Sequence, residues 1–127
     1  MKRGDVVLVS GQGDYGKARP AIVVQADHFA EYLGSITVVP LTSDLAKTID
    51  LRVRIKPRGS NGLRAPSDAM VDKIQTYPRK KVFDVIGALE VDEMIALNRS
   101  LVVFLQLAGT ILGTPAISYP QSQEGLP

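Results

Sequence analysis

The sequence predicts a mainly β domain that ends in one C-terminal helix. Apolar, β-branched runs recur along the chain up to residue 89 and are separated by turns rich in glycine or proline. Residues 51–56 alternate between apolar and cationic side chains, which is the period-two pattern of a strand with one buried face. From Val91 onward the apolar residues recur at helical spacing. At 127 residues the chain is expected to form one domain with a single core.

The first two strands are predicted on either side of a glycine-rich loop. Residues 5–10 form a short β-branched run that ends at Gly11. Residues 11–16 contain three glycines and Tyr15, and we expect a flexible hairpin loop that can close over a ligand. Residues 17–25 then supply the second strand.

Arg19 is the first candidate functional residue, because a guanidinium at the start of an apolar strand cannot be left unpaired in a core. Pro20 biases Arg19 toward an extended conformation, so the backbone sets the direction of the side chain. A fixed cation at the mouth of an anchored strand is suited to hold an anion. Pairing with a surface carboxylate is an equally open interpretation.

Two hydroxyl side chains end the third predicted strand. A single helical turn or loop is expected over residues 26–34, and residues 35–43 then form a β-rich run that closes with Thr42 and Ser43. Residues of this type usually terminate a strand by hydrogen bonding to the backbone.

A cationic strand face follows. Apolar Leu51, Val53 and Ile55 alternate with Arg52, Arg54 and Lys56. This face is a candidate phosphate track, and a solvated edge that uses charge against aggregation is at least as good an interpretation. Residues 57–66 are expected to be a turn-rich connection.

The next strand, predicted over residues 67–76, carries Asp72 beside apolar positions. A carboxylate in a central strand is destabilising unless a cation or donor compensates it, and Arg19 is the obvious compensator. Residues 79–81 form the densest basic run, a type of run that is more often solvated than functional. Residues 82–89 supply one more short strand, broken at Gly87.

The last predicted element is a helix from Val91 to near Leu107, stopped by Gly109. Its apolar stripe consists of Met94, Leu97, Leu101, Phe104 and Leu105, widened by Val102 and Val103. A stripe of this width is expected to meet a second copy of the chain as well as its own sheet. Residues 1–109 therefore form the predicted domain, and residues 110–127, rich in Pro, Gly, Ser and Gln, are expected to be a mobile tail outside the core.

Composition excludes several classes of site. The chain has no cysteine and one histidine, His28, so disulfides, thiolate nucleophiles and the usual Cys and His metal sites are excluded, and we expect chemistry without a metal or other cofactor. The net charge of +2 is too small to establish nucleic-acid binding. No apolar run approaches the ~20 residues of a membrane span, and the N-terminus lacks a signal-peptide pattern. We therefore expect no membrane contact and a cytoplasmic location.

Ordered motifs between residues 2 and 107 resemble a known family. The motifs are Lys2-Arg3-Gly4-Asp5-Val6-Val7, Arg19-Pro20-Ala21-Ile22-Val23-Val24, Val39-Pro40-Leu41-Thr42-Ser43, Asp72-Lys73-Ile74-Gln75-Thr76 and the apolar C-terminal helix. Each is weak alone, but in this order they resemble the MazF/PemK (Kid-like) toxins, the sequence-specific endoribonucleases of bacterial toxin-antitoxin modules.

The resemblance implies a small, strongly curved antiparallel sheet of the SH3-like barrel type with a C-terminal helix, assembled as a homodimer. It also implies metal-independent cleavage of single-stranded RNA, mostly mRNA, and inhibition by a cognate antitoxin. By position, Arg19 and Thr42 match the family's catalytic arginine and threonine, and Asp72 matches an acidic position. Candidate RNA contacts are Tyr15, as a stacking surface, and Lys17, Ser43, Lys73, Gln75 and Arg79.

Such cleavage uses the 2′-hydroxyl of the substrate as nucleophile, and the three matched residues have hypothetical roles in it. Arg19 stabilises the phosphorane, Thr42 donates to a non-bridging oxygen, and Asp72 either orients Arg19 or accepts the nucleophile's proton. Some members carry a histidine in the first loop and a cation at the position of Met70, so the division of acid and base roles stays open. Two alternatives are a CcdB-like toxin that binds and poisons DNA gyrase without catalysis, and a barrel that only binds nucleic acid.

Overall fold

The computed structural model describes residues 1–11, 17–48 and 51–108, which form an antiparallel sheet and one long helix. The strands are β1 (Asp5–Ser10), β2 (Ala18–Val23), β3 (Ser35–Thr42), β4 (Val53–Ile55), β5 (Ser67–Ala69), β6 (Gln75–Pro78) and β7 (Val82–Ala88). The helices are α1 (Asp27–Ala30) and α2 (Val91–Leu105), with 3₁₀ turns at Val71–Lys73 and Arg79–Lys81.

The sheet is strongly curved but its hydrogen bonding does not close it. Its order is β4-β5-β3-β2-β1-β7, and the first part of β3 also pairs with β6. Among the described strands no ladder joins the two ends, β4 and β7. The predicted fold class, a curved antiparallel sheet of mainly β structure followed by a helix, is confirmed.

Apolar side chains cover both faces of this sheet. Successive residues of a strand point to opposite faces, and in the central strands both sets are apolar. One core cluster is formed with α2 and includes Ile22, Val39 and Leu97, all fully buried. The other cluster lies on the opposite face and includes Val7 and Ile36. β2 and β3 contribute to both clusters, and one end of this pair of strands carries Arg19 and Thr42.

The prediction of one strand over residues 67–76 is wrong. β5 stops at Ala69, a 3₁₀ turn follows at Val71–Lys73, and β6 begins at Gln75. Val71 is fully buried in the core cluster beside α2, whereas Asp72 is exposed. A turn at this point buries the apolar side chain and leaves the carboxylate in water, so the desolvation problem predicted for Asp72 does not arise.

Gly87 does not break β7, contrary to the prediction. The strand runs on to Ala88, although its register with β1 shifts between Val6 and Val7. A Cβ at Gly87 would lie 2.4 Å from the backbone of Asn61. The glycine is therefore needed for a close backbone approach by the loop before β5.

α2 begins where predicted and ends earlier than predicted. Glu90 and Glu93 form a capping box at its start. The last helical residue is Leu105, and Gln106 follows with a left-handed φ of 54°, so the helix has stopped before Gly109, which lies outside the described residues. Leu97 and Leu101 are buried as expected, whereas Phe104 and Leu105 are 40% and 45% exposed.

Candidate functional site

Arg19 and Thr42 come together at one end of the β2–β3 pair. Ala21 lies opposite Pro40 in this ladder, and the same register continued toward the start of β2 sets Arg19 opposite Thr42. Both residues line one open cavity of about 500 Å³. Lys17 and Ser43, two of the predicted RNA contacts, line the same cavity.

The cavity combines an apolar base with a cationic rim. Leu8, Pro20 and Leu41, on three adjacent strands, supply apolar surface. The cations are Lys17, Arg19 and Arg64, and all three are exposed to solvent. No described residue that lines the cavity is acidic. Such a lining attracts an anion and offers apolar contact to the group attached to it.

Thr42 terminates β3, the role that residues of its type usually have. Its Oγ1 accepts a hydrogen bond of 3.1 Å from the backbone N–H of Asp44, so it terminates the strand. Because that bond uses an oxygen lone pair, the hydroxyl hydrogen is left to donate to a ligand. The bond also fixes the position of the oxygen at the cavity.

The loop between β4 and β5 forms one wall of the cavity. Gly62, Leu63, Arg64 and Ala65 line the cavity. The backbone N–H of Ala88 on β7 donates to the carbonyl of Ser60 at 2.9 Å, so the loop also contacts β7. It thereby covers part of the gap that the strand ladders leave open.

Asn61 holds this wall in shape. It is 1% exposed, and its side-chain amide donates to the Lys56 carbonyl at 2.8 Å. Its side-chain oxygen accepts from the backbone N–H groups of Arg58 at 3.1 Å and Leu63 at 3.0 Å. All of these bonds lie within the loop, so Asn61 fixes the backbone on both sides of itself.

Arg64 is a site residue that sequence reasoning missed. Residues 57–66 were predicted only as a turn-rich connection, because their glycines and prolines indicate a loop and say nothing of where it packs. The available signal was an arginine in a loop that also carries a buried asparagine, but its place beside Arg19 depends on the contact between Gly87 and Asn61.

Among the described residues, the fully buried carboxylate is Asp68, and Asp72 is exposed. Asp68 is fully buried and accepts from Arg54 Nε at 2.7 Å, from Arg52 at 3.5 Å and from the backbone N–H of Ala46 at 2.8 Å. Hydrogen bonding to Arg54 is the main cause that holds the pKa of the Asp68 carboxyl below its usual range. Two of the three cations in the proposed phosphate track therefore compensate a carboxylate.

The structure does not bring Asp72 to the cavity of Arg19. Asp72 is exposed on its 3₁₀ turn and lines a different cavity, together with Arg52 and Thr48. The expectation that Asp72 is a strand carboxylate compensated by Arg19 is therefore wrong, and the catalytic role that the resemblance implies for Asp72 has no support from this placement.

The other predicted RNA contacts lie elsewhere or outside the described residues. Lys73 shares the exposed turn of Asp72. Gln75, on β6, accepts from the hydroxyl of Tyr77 at 3.2 Å. Arg79 donates to the Val82 carbonyl at 2.9 Å and lines a cavity beside α1. Tyr15 lies outside the described residues, so these four contacts stay predictions.

Comparison with known proteins decides the family. The profile of the PemK-like, MazF-like toxins of type II toxin-antitoxin systems matches residues 2–105. The chain belongs to this family. A relative described as a probable endoribonuclease MazF from Mycolicibacterium smegmatis is 39% identical over 110 residues, which cover 86% of this chain and 100% of that protein. The endoribonuclease MazF9 of Mycobacterium tuberculosis is 29% identical and covers 84% of this chain and 98% of that protein.

Solved structures agree on the MazF fold. A mycobacterial endoribonuclease in complex with its cognate antitoxin matches with a TM-score of 0.70 at 24% identity, over 84% of this chain and 96% of that one. A MazE–MazF complex from Deinococcus radiodurans matches with a TM-score of 0.66 at 17% identity, over 85% and 98%. The MazF-like fold is therefore shared although most side chains differ. Within the described residues, no helix has both the length and the apolar character to cross a membrane.

Proposed function

We propose that this MazF-family chain is the toxin of a toxin-antitoxin module and a sequence-specific endoribonuclease that cuts single-stranded RNA, chiefly mRNA. The observation that carries the proposal is the placement of Arg19 and Thr42 in one open, cation-lined cavity. The relatives from Mycolicibacterium smegmatis and Mycobacterium tuberculosis, both named endoribonucleases, support it.

The chemistry proposed is attack of the substrate's 2′-oxygen on the adjacent phosphorus. A bond forms between that oxygen and phosphorus, the bond from phosphorus to the 5′-oxygen breaks, and the products carry a 2′,3′-cyclic phosphate and a 5′-hydroxyl. The Arg19 guanidinium stabilises the negative charge that grows on the phosphorane. The Thr42 hydroxyl donates to a non-bridging oxygen. Its hydrogen is available for this bond because the Asp44 N–H contact uses only a lone pair of the oxygen.

Acid and base roles are the open part of this proposal. A guanidinium with a pKa above ~12 stays charged and is a poor proton shuttle, so Arg19 acts chiefly as an electrostatic group. No described cavity residue is a carboxylate or histidine. Water is then the candidate to accept the 2′-proton and to protonate the departing 5′-oxygen.

Cleavage without a divalent cation fits the charge of the cavity. Its described lining carries Lys17, Arg19 and Arg64 and no acid, a set that repels a metal ion. Elsewhere among the described residues, no cluster of three His, Cys, Asp or Glu side chains is arranged to hold one.

The proposed partners are single-stranded RNA, a cognate antitoxin and a second copy of the chain, in the cytoplasm. The end of α2 leaves apolar side chains uncovered, with Val103 65% exposed, and this surface supports the homodimer. A CcdB-like gyrase poison would also need an apolar patch there. The MazF family match and the Arg19–Thr42 cavity favour the nuclease.

The decisive experiment is incubation of the pure protein with a long single-stranded RNA in EDTA. We expect defined fragments with cyclic-phosphate ends from the wild-type protein and a rate reduced by about 100-fold or more for Arg19→Ala. Arg99→Ala, which removes an exposed arginine of α2 outside this cavity, is the matched control and should cut normally. Intact RNA with the wild-type protein, or normal cleavage by a folded Arg19→Ala variant, would overturn the proposal.

A further inference from the structure

We propose that Arg64 binds a phosphate of the nucleotide adjacent to the scissile one, and that Asn61 positions it to do so. The inference rests on the proposed function, because it names a substrate contact of the same cavity. Neither residue belongs to the motifs that identify the family in this chain.

Arg64 differs from most arginines of this chain in having no partner among the described residues. Five arginines bond to a carbonyl or a carboxylate: Arg3, Arg52, Arg54, Arg58 and Arg79. Among the described residues Arg64 makes no hydrogen bond or ion pair, and it is exposed. An arginine that stabilises no part of the described fold is available to a ligand.

Arg64 is exposed at the same cavity as Arg19 and Thr42. It lines the cavity from the loop wall, whereas Arg19 and Thr42 line it from the ends of β2 and β3. Two guanidinium-bearing walls therefore bound the same space. A volume of about 500 Å³ lies in the range that accommodates small organic ligands, so the site has room for more than one phosphate group.

The two arginines are expected to contact different phosphates of the substrate. Arg19 and Thr42, the pair proposed to act on the scissile phosphate, line the same cavity from opposite positions on β2 and β3. Arg64 comes from a separate element, and its planar fork suits bidentate contact with phosphate oxygens. Such a contact contributes to binding equally before and during the chemical step, so its loss should raise KM more than it lowers kcat.

Asn61 is the positioning residue for this contact. Its buried amide joins Lys56, Arg58 and Leu63, so it fixes the backbone next to Arg64 without lining the cavity itself. Gly62 has a φ of +72°, and a Cβ there would lie 2.3 Å from the Ile86 carbonyl, so the loop backbone is held against β7 as well. A loosened loop should weaken RNA binding even though Arg64 is intact.

The test separates binding from cleavage. The probe is a labelled single-stranded RNA pool of random sequence with every 2′-oxygen methylated, which can bind but cannot be cut, and its affinity is measured against salt concentration. We expect Arg64→Ala to weaken binding about fivefold to tenfold and to reduce the salt slope by about 0.7, the value for one phosphate contact on a single strand. Arg64→Lys should recover part of the affinity, because it restores the charge but not the fork.

The matched control is Arg99→Ala, since Arg99 is also exposed and has no partner among the described residues. It should leave the affinity and the slope unchanged. Asn61→Ala should reproduce the loss seen with Arg64→Ala, and the double variant should bind no more weakly than Arg64→Ala alone.

Cleavage of long RNA by the same variants completes the test. We expect Arg64→Ala to raise KM with a kcat near that of the wild type. Equal binding by Arg64→Ala and the wild type would overturn the inference and leave the nuclease proposal standing. Wild-type protein that binds the pool with the expected Arg64 dependence but never cuts RNA would overturn the nuclease proposal alone.

Discussion

At the scale of single residues, the candidate site depends on a proline, an arginine and a threonine whose positions are set by the sheet. Pro20 follows Arg19 and has no N–H to donate, so this end of β2 contributes fewer ladder bonds to β3. Thr42 ends β3 and is fixed by the N–H of Asp44. A guanidinium and a hydroxyl thus share a cavity without either being held in the core.

A residue-scale prediction concerns Asp72. Because Asp72 is exposed and lines a different cavity from Arg19, we expect Asp72→Asn to cut RNA within about threefold of the wild-type rate, a change of less than ~1 kcal/mol in the activation free energy. The measurement is kcat on a long single-stranded RNA in EDTA, beside Arg19→Ala. A loss as large as that of Arg19→Ala would return the carboxylate to the mechanism, in the role that the family resemblance implies.

At the scale of elements, the loop between β4 and β5 is what turns the open end of the sheet into a cavity. Its backbone packs on β7 through Ser60, Asn61 and Gly62. The approach is possible only because Gly87 on the strand side and Gly62 on the loop side carry no Cβ. The Arg58 side chain bonds to Glu93 in the first turn of α2, so the same loop is tied to the helix.

An element-scale prediction uses two glycines with similar backbone conformations. Gly62→Ala places a Cβ against the Ile86 carbonyl at a φ of +72°, and we expect it to lower the free energy of unfolding by about 3 kcal/mol. Gly34→Ala has a φ of +63° and open space around the added methyl group, so only the backbone term of about 1 kcal/mol applies. Urea unfolding of both variants measures the difference. Equal losses would show that the loop does not press on β7.

The sequence predicted elements better than it predicted contacts between them. β1, β3 and the start of α2 were found from β-branched runs and from the helical spacing of apolar residues from Val91 onward, because these signals are local. Arg19 and Thr42 were found through ordered motifs. Arg64 and Asp68 were missed, since their roles depend on which distant backbone each one meets. The strand predicted through Asp72 failed because burial of Val71 in the core outweighed the local β pattern.

At the scale of the whole molecule, one buried carboxylate links the strands to the site. Asp68 on β5 binds the N–H of Ala46, and Arg52 and Arg54 donate to the carbonyls of Asp44 and Ala46 as well as to Asp68. In the segment just after Thr42, both a backbone N–H and two carbonyls are therefore bonded to this group of side chains. Stability of the fold and order at the cavity are expected to depend on the charge of the same group.

The last prediction is the pH dependence that follows from Asp68. Its pKa in the folded state is held below the unfolded value of about 3.9, so the carboxylate stabilises the fold above that pH, and this contribution is lost as pH falls toward the folded-state pKa. We expect Asp68→Asn to lower the free energy of unfolding by about 2 kcal/mol at pH 7, because the arginines lose a buried acceptor, and by less near pH 3, where part of the charge contribution is lost. Urea unfolding at the two pH values measures this narrowing. Asp84→Asn, an exposed substitution on β7 with no partner among the described residues, is the control and should match the wild type at both. A gap between wild type and Asp68→Asn that stays constant with pH would show that Asp68 stabilises the fold by packing and not by charge.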